Sequence, residues 1–201
     1  MQILLIGASG TIGSAVREAL EARGHRVIKA GRSGEESVDL ADVASIRALF
    51  ARLGQVDALV CAAGSAPFGG IDDIDDAGWA TGLESKLMGQ VNLVRFGRES
   101  VTGSFTLTSG MFAESASAGS TALSTTNAGI QGFARSAALQ IPQRVNVVSP
   151  PLVRETALKL GWGPKGVPAA TVAESYVEAV EGEQSGVVLR AGWSLPEVGP
   201  E

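Results

Sequence analysis

One cysteine, one histidine and one tyrosine in 201 residues leave few side chains for the commonest kinds of catalysis. Cys61 has no partner for an internal disulfide, and its place at the end of an apolar run reads as a small buried hydrophobe, which fits a reducing cytoplasm. A single His and a single Cys make no ordinary zinc cluster, and no Gly-x-Ser-x-Gly elbow is present to carry a serine nucleophile. Basic residues are outnumbered: 16 Lys and Arg stand against 21 Asp and Glu, a formal charge of −5 without any basic run. A nucleic-acid partner would require a clustered basic surface, so that class is excluded. No apolar stretch approaches the roughly 20 residues of a bilayer span. The chain also enters its first apolar run without a basic leader, so the expectation is a protein neither exported nor held in a membrane. Small molecules remain as ligands.

What the chain does contain is alternation. Short apolar runs at Gln2 to Ile6, Arg26 to Ala30, Ala58 to Cys61, Ser104 to Thr108, Arg144 to Val148 and Gly186 to Arg190 read as strands. Segments of helical period fill the intervals: Thr11 to Arg23, Val43 to Leu53, Asp76 to Arg98, Thr125 to Gln140 and Ala170 to Glu181. Gly24 suits the stop of the first helix. This pattern predicts an α/β chain with a Rossmann-like doubly wound parallel sheet in three layers, α/β/α, as a single domain over residues 1–201. Ligands of such sheets bind at the carboxyl ends of the strands. His25 falls at the opposite end, between the first helix and the second strand.

The first such end carries Gly7-Ala8-Ser9-Gly10-Thr11-Ile12-Gly13. Gly7 permits a tight turn, Gly10 lets the backbone approach a pyrophosphate and Gly13 lets the helix lie against the strand. Phosphate oxygens would then sit on the free N–H groups around Ser9, Thr11 and Ile12. After the second strand stand Arg32 and Ser33, where an acidic residue would hold a free ribose 2′-OH. A guanidinium fork and a hydroxyl suit a 2′-phosphate instead, which predicts NADP(H) as the cofactor. Asp39, followed by Leu40, could take the adenine amino group, could cap the next helix, or both.

Taken in order, these blocks resemble the short-chain dehydrogenase/reductase family over nearly the whole chain. Gly7 to Gly13 is similar to its nucleotide turn and Asp39-Leu40 to its adenine-side acidic motif. Cys61-Ala62-Ala63-Gly64 is similar to its Asn-Asn-Ala-Gly, with Cys61 and Ala62 in place of the asparagines. Arg144 to Pro150 resembles the strand before its Pro-Gly motif, with Pro151 for the glycine and Thr156 near the threonine that follows. The resemblance implies that Ala62, Ala63, Gly64 and Pro150 also border the cofactor. It implies small-molecule redox chemistry and a homo-oligomer, dimer or tetramer.

The family's catalytic Asn-Ser-Tyr-Lys set fares poorly when carried over. Asparagine falls on Lys86, serine on Gly110 with Ser109 one place away, tyrosine on Leu123 and lysine on Asn127. Leucine and asparagine cannot deliver a proton near neutral pH. Asn127 keeps only a hydrogen-bonding role, toward a ribose hydroxyl. Lys86 has two readings: a cation beneath the nicotinamide end that stabilises an oxyanion, acts as the acid or supports the ribose, or an exposed helix lysine. Thr108, Ser109, Ser124 and Thr126 either bond a polar substrate or satisfy backbone groups. Tyr176, in the last helix, reads as a core or surface phenol. Asp72, Asp73, Asp75 and Asp76 read as a solvated turn leading into a helix, not a metal site. Apolar residues on the middle helix (Leu87, Met88, Val91, Leu93, Val94, Phe96) and the next (Ile130, Phe133, Ala134, Ala137) exceed one buried face, which suits helix-mediated pairing of copies or a monomer core.

Three functions follow as expectations. One is an oxidoreductase on a small carbonyl or conjugated substrate, with Lys86 or a water held by Ser109 as proton donor. Another is a non-catalytic protein that senses NADP(H) or binds a partner. The last is a non-redox cyclase or isomerase on the same scaffold.

Overall fold

From the first strand, Leu4 and Ile6 point to one side and Ile3 and Leu5 to the other, and all four are buried. A strand that is apolar on both faces needs cover on both, which a parallel sheet between two helical layers provides. The computed structural model describes residues 1–33 and 36–195. Among these, seven strands form one wholly parallel sheet in the order β3-β2-β1-β4-β5-β6-β7. The strands are β1 (Gln2–Ile6), β2 (Arg26–Gly31), β3 (Glu36–Ser37), β4 (Val56–Cys61), β5 (Val101–Thr108), β6 (Arg144–Ser149) and β7 (Val188–Arg190).

Helices α1 (Thr11–Ala22) and α7 (Ala169–Glu181) cover one face, burying Val16, Leu20, Val172 and Tyr176 against Ile3, Leu5 and Val60. The other face lies under α2 (Val43–Arg52), α4 (Gly89–Gly97) and α5 (Thr121–Ala137), with Ile46, Leu49, Leu93 and Ile130 against Leu4, Leu59 and Phe105. Each such side chain contributes about 1.5–3 kcal/mol by leaving water. Helix α1 ends where Gly24 predicts. The N–H of Gly24 donates to Glu21 and that of His25 to Leu20, a paired closure of the last turn.

The predicted helix Asp76 to Arg98 is three pieces wound differently. α3 (Asp76–Thr81) and α4 flank a wider π-helical stretch, Gly82–Met88, in which Lys86 sits. Glycines stand at both ends of that stretch, and a Cβ on Gly89 would meet Leu40 at 2.8 Å, so the backbone presses against the neighbouring loop. Such a wide turn changes where the following side chains aim. Two further differences are short elements: the two-residue β3, and α6 (Arg154–Lys159) after the sixth strand. α5 begins four residues before its predicted start, because Thr121 to Ser124 wind into the first turn. The 3₁₀ turn Met111–Ala113 precedes it.

The strand order reverses between β1 and β4: the chain builds β1, β2 and β3 outward, then returns to place β4 on β1's other side. The loops that follow β1 and β4 therefore diverge and leave a crevice between them. No helix among the described residues is long and apolar enough to cross a membrane.

Candidate functional site

The crevice is a cleft of about 500 Å³ at the carboxyl ends of β1, β2 and β4. Gly7, Ser9, Gly10, Arg32, Ser33, Asp39, Leu40, Ala62, Ala63 and Gly64 all border it, so most of the predicted cofactor residues meet in one place. Thr11, Ile12 and Gly13 form the first turn of α1 beside it. Sequence reading missed Ser65, Thr81 and Ser85, which close its far side and carry no motif.

The glycine turn is held by close packing. Gly7 has φ +84°, and a Cβ there would meet Ala63 at 2.8 Å and the Ala62 carbonyl oxygen at 2.9 Å. A Cβ on Gly13 would stand 2.0 Å from the Gly7 oxygen, so helix and strand touch through bare backbone. Gly10 is the N-cap of α1 and offers no side chain to the helix's first N–H groups, which leaves them to an anion. Arg32 and Ser33 are exposed at the rim. On their other side lies a second cavity of about 520 Å³, bordered by Arg17, Lys29, Ser9 and Ser14. Three cations thus surround the place where β2 ends.

Asp39 is not the helix cap. Its carboxylate accepts the Ala41 N–H at 3.0 Å in its own turn, while Asp42 caps α2 by accepting from Ala44 at 2.8 Å. Three residues of turn separate Asp39 from the helix, and Asp39 borders the cleft.

At the inner end, Lys86, Ser109 and Asn127 converge on the Ser109–Gly110 stretch after β5. Lys86 is 8 % exposed, which overturns the surface-lysine reading. Its Nζ donates to the Ser109 carbonyl at 3.4 Å, and its backbone lies so close to Gly64 that a Cβ there would meet Lys86 Cα at 2.9 Å. Burial pushes the ammonium down to about 8, with the nearby Cys61 working weakly against that. The side-chain amide of Gln90 donates to the Lys86 carbonyl at 3.1 Å and so braces the wide turn.

The Ser109 hydroxyl accepts from Gln131 Nε2 at 3.3 Å; that nitrogen also donates to Glu114 at 3.0 Å, and Glu114 is ion-paired with Arg190. Asn127 is buried, its Oδ1 has no hydrogen-bond partner among the described residues, and its Nδ2 lies against Gly110. Pro150 is buried after β6 and its carbonyl accepts the Met111 N–H at 3.0 Å, tying the loop after β5 to the next strand.

The other hydroxyls satisfy the protein itself. Thr108 Oγ1 donates to the Cys61 carbonyl and pairs with Tyr176 OH at 2.6 Å; Thr126 donates to Ala122 at 2.9 Å; Ser124 pairs with Ser120 at 3.0 Å. Tyr176 is fully buried and burial raises its pKa, so it is a core phenol. His25 bonds Glu181 at 2.9 Å at the far end of the sheet. Asp75 caps α3 and Asp73 accepts the Gly70 N–H, as a turn would, and no group of acids, His or Cys among the described residues could hold a metal. Of the apolar helix residues, Leu93, Val94, Ile130, Ala134 and Ala137 belong to the core, whereas Phe96 and Phe133 border an open cavity of about 530 Å³ between α4 and α5.

Comparison with known proteins agrees with this geometry. The protein lin1944 from Listeria innocua has 42% sequence identity and a TM-score of 0.89, over 94% of this chain and 98% of that one. A small-chain dehydrogenase solved in complex with NADPH is 25% identical with a TM-score of 0.85, over 94% and 95% of the two chains. An oxidoreductase of the short-chain dehydrogenase/reductase family from Burkholderia thailandensis, at 23% identity and TM-score 0.80 over 94% and 90%, shares the fold. No curated protein matches the chain. The family model described as enoyl-(acyl carrier protein) reductase matches residues 7–183. With that match running from the glycine turn through β6 and α7, the chain belongs to the short-chain dehydrogenase/reductase family.

Proposed function

We propose that the chain binds NADP(H) and reduces a small carbonyl or conjugated substrate, with Lys86 or a water held by Ser109 as proton donor in place of the missing tyrosine. The observation that carries this reading is the cleft itself: an uncapped helix end, a glycine turn packed without side chains, and Arg32 where a 2′-phosphate would emerge. The residues fit the cofactor. The first turn of α1 would hold its diphosphate, Asp39 its adenine amino group, and Arg32 with Ser33 its 2′-phosphate, in a field to which Arg17 and Lys29 add. Asn127 Oδ1, buried and unsatisfied among the described residues, suits a ribose hydroxyl.

The bound cofactor supplies a hydride to the electrophilic carbon. Lys86 holds a proton at Nζ, released at about 8, and gives it to the oxygen that becomes an alkoxide. Ser109 accepts from Gln131, so its own hydrogen is left to point at the substrate oxygen. Leu123 in the tyrosine position favours a second reading, a protein that binds NADP(H) without turning over. Phe96 and Phe133, at the edge of the cavity between α4 and α5, support pairing of two copies through those helices. The lone cysteine, Cys61, free and buried at the end of β4, suits a reducing cytoplasm.

Calorimetric titration with NADPH and NADH tests the first step. Binding of NADPH well above NADH is expected, and binding of neither removes the reading. NADPH consumption with a panel of carbonyl and enone acceptors, lost in Lys86→Ala at unchanged NADPH affinity, tests the second. An active Lys86→Ala protein would take the proton from elsewhere.

A further inference from the structure

The segment between β6 and α7 closes on itself. Val153 and Val167 form an isolated bridge, with Arg154 N–H donating to Val167 at 2.8 Å and Val167 N–H to Leu152 at 2.9 Å. Inside this loop α6 buries Ala157 and leaves Leu158, Leu160 and Trp162 more than half exposed. The helix stops at Gly161, whose φ of +73° turns the chain while its N–H donates to Leu158 and the Trp162 N–H donates to Ala157. That closure sets the direction of Lys159, the last residue of α6.

Lys159 Nζ donates to Thr11 Oγ1 at 2.8 Å, across 148 residues of sequence. Thr11 is the first residue of α1, next to the side-chain-free cap at Gly10. Among the described residues no acid lies within ion-pair distance of Lys159; the one carboxylate of α6, Glu155, accepts the Ala169 N–H instead. The glycine turn from Gly7 to Gly13 contains no charged residue. A helix end alone presents about half a positive charge to an anion. A diphosphate seated there would thus meet N–H groups and one full cation, and that cation comes from the far loop.

We propose that Lys159 is a ligand of the cofactor's diphosphate, and that this contact fastens the 153–167 loop over the bound dinucleotide. The proposal rests on the dinucleotide reading above. It assigns to Lys159 an affinity that is blind to the 2′-phosphate, in contrast to Arg32 at the other end of the cleft. Because Trp162 lies three residues beyond Lys159 in the same loop, the fastening carries an optical reporter.

The test is titration of wild type, Lys159→Met and Lys159→Arg with NADPH, NADH, ADP and AMP, alongside tryptophan fluorescence with a Trp162→Phe control. Lys159 is exposed, so the variants are expected to melt with the wild type. Lys159→Met should weaken NADPH, NADH and ADP by a similar factor, about tenfold for one charge-assisted contact, with little effect on AMP. Lys159→Arg should recover most of it. The NADPH-dependent change in Trp162 emission should disappear in Lys159→Met. If wild type binds dinucleotides and Lys159→Met binds them equally well, or loses NADPH alone, the proposal is overturned while the cofactor reading stands. If wild type binds no dinucleotide, both fall.

Discussion

The side-chain amide of Gln90 straddles the backbone of Thr108: Oε1 accepts the Thr108 N–H at 2.7 Å and Nε2 donates to the Thr108 carbonyl at 2.9 Å. At the end of β5 the amide behaves as one more residue of strand, and the same Nε2 reaches the Lys86 carbonyl. A helix and a strand that carry the inner end of the cleft are thereby joined by one fully buried side chain.

Gln90→Leu keeps the volume and strands two buried backbone groups. The loss expected is about 2–6 kcal/mol, since each unsatisfied group costs about 1–3 kcal/mol. Urea denaturation should show a lower midpoint at unchanged slope. A midpoint equal to wild type would mean that the clamp contributes nothing.

Lys86 makes stability depend on pH. The amine keeps its proton up to 10.5 in the unfolded chain and gives it up at about 8 in the fold. Between those values the unfolded state holds more protons, so the fold gains stability as pH rises, and below 8 the cost of the buried cation is fully present. Cys61 acts in the opposite direction, its thiol being pushed up from 9.0 to about 11 by burial, so its contribution declines over that range. Both effects separate if wild type is compared with Lys86→Met, which retains Cys61. The difference in unfolding free energy should move in favour of wild type from pH 8 to pH 10.5, and a flat difference would remove the buried-cation account. In an active enzyme, kcat/KM should fall as pH rises through about 8.

Arg32 sets the preference between cofactors in the function proposed here. Arg32→Ala should weaken NADPH by about 10- to 100-fold, the range for charge-assisted hydrogen bonds, and leave NADH nearly unchanged. Arg17→Ala and Lys29→Ala should shift the same ratio by less, because they border the neighbouring cavity and not the cleft itself. Calorimetry on both cofactors measures the ratio, and an equal loss for both would move the 2′-phosphate elsewhere.

Two glycine-to-alanine changes should part company. At Gly13 a methyl group would meet the Gly7 oxygen at 2.0 Å, backbone against backbone, so Gly13→Ala should cost about 1–3 kcal/mol and spread the cleft. At Gly54 a methyl group meets nothing within 4 Å and φ lies outside the left-handed region, so Gly54→Ala should be neutral or slightly stabilising. Thermal melts of the pair decide it, with equal melting temperatures counting against the packing argument.

The layers of this fold were legible because apolar runs and helical periods are local. The outer residues of the cleft were legible too, since they follow strands directly. What was not legible depends on partners far along the chain. β3 is a two-residue strand held by β2 and by Arg52 of α2, and α6 is too short for its period to stand out. The wide turn around Lys86 goes with Gly82 lying against Ala66 and Thr126, Gly89 against Leu40, and Gln90 bonded to Thr108, none of which sequence spacing displays. Asp42 and not Asp39 caps α2 because it directly precedes Val43, the first helical residue, while Asp39 is engaged in its own turn by the Ala41 N–H. Lys159 and Thr11 meet only because the sheet brings β1 and β6 ends to one side.

Cys61 ends β4 fully buried, beneath the same stretch that holds Lys86. As the chain's single thiol it is a clock for opening of the site. A thiol reagent can mark it only when β4's end parts from its cover, so the rate of labelling counts those excursions one molecule at a time. Any ligand that settles in the cleft should slow that clock, whether or not it is ever turned over.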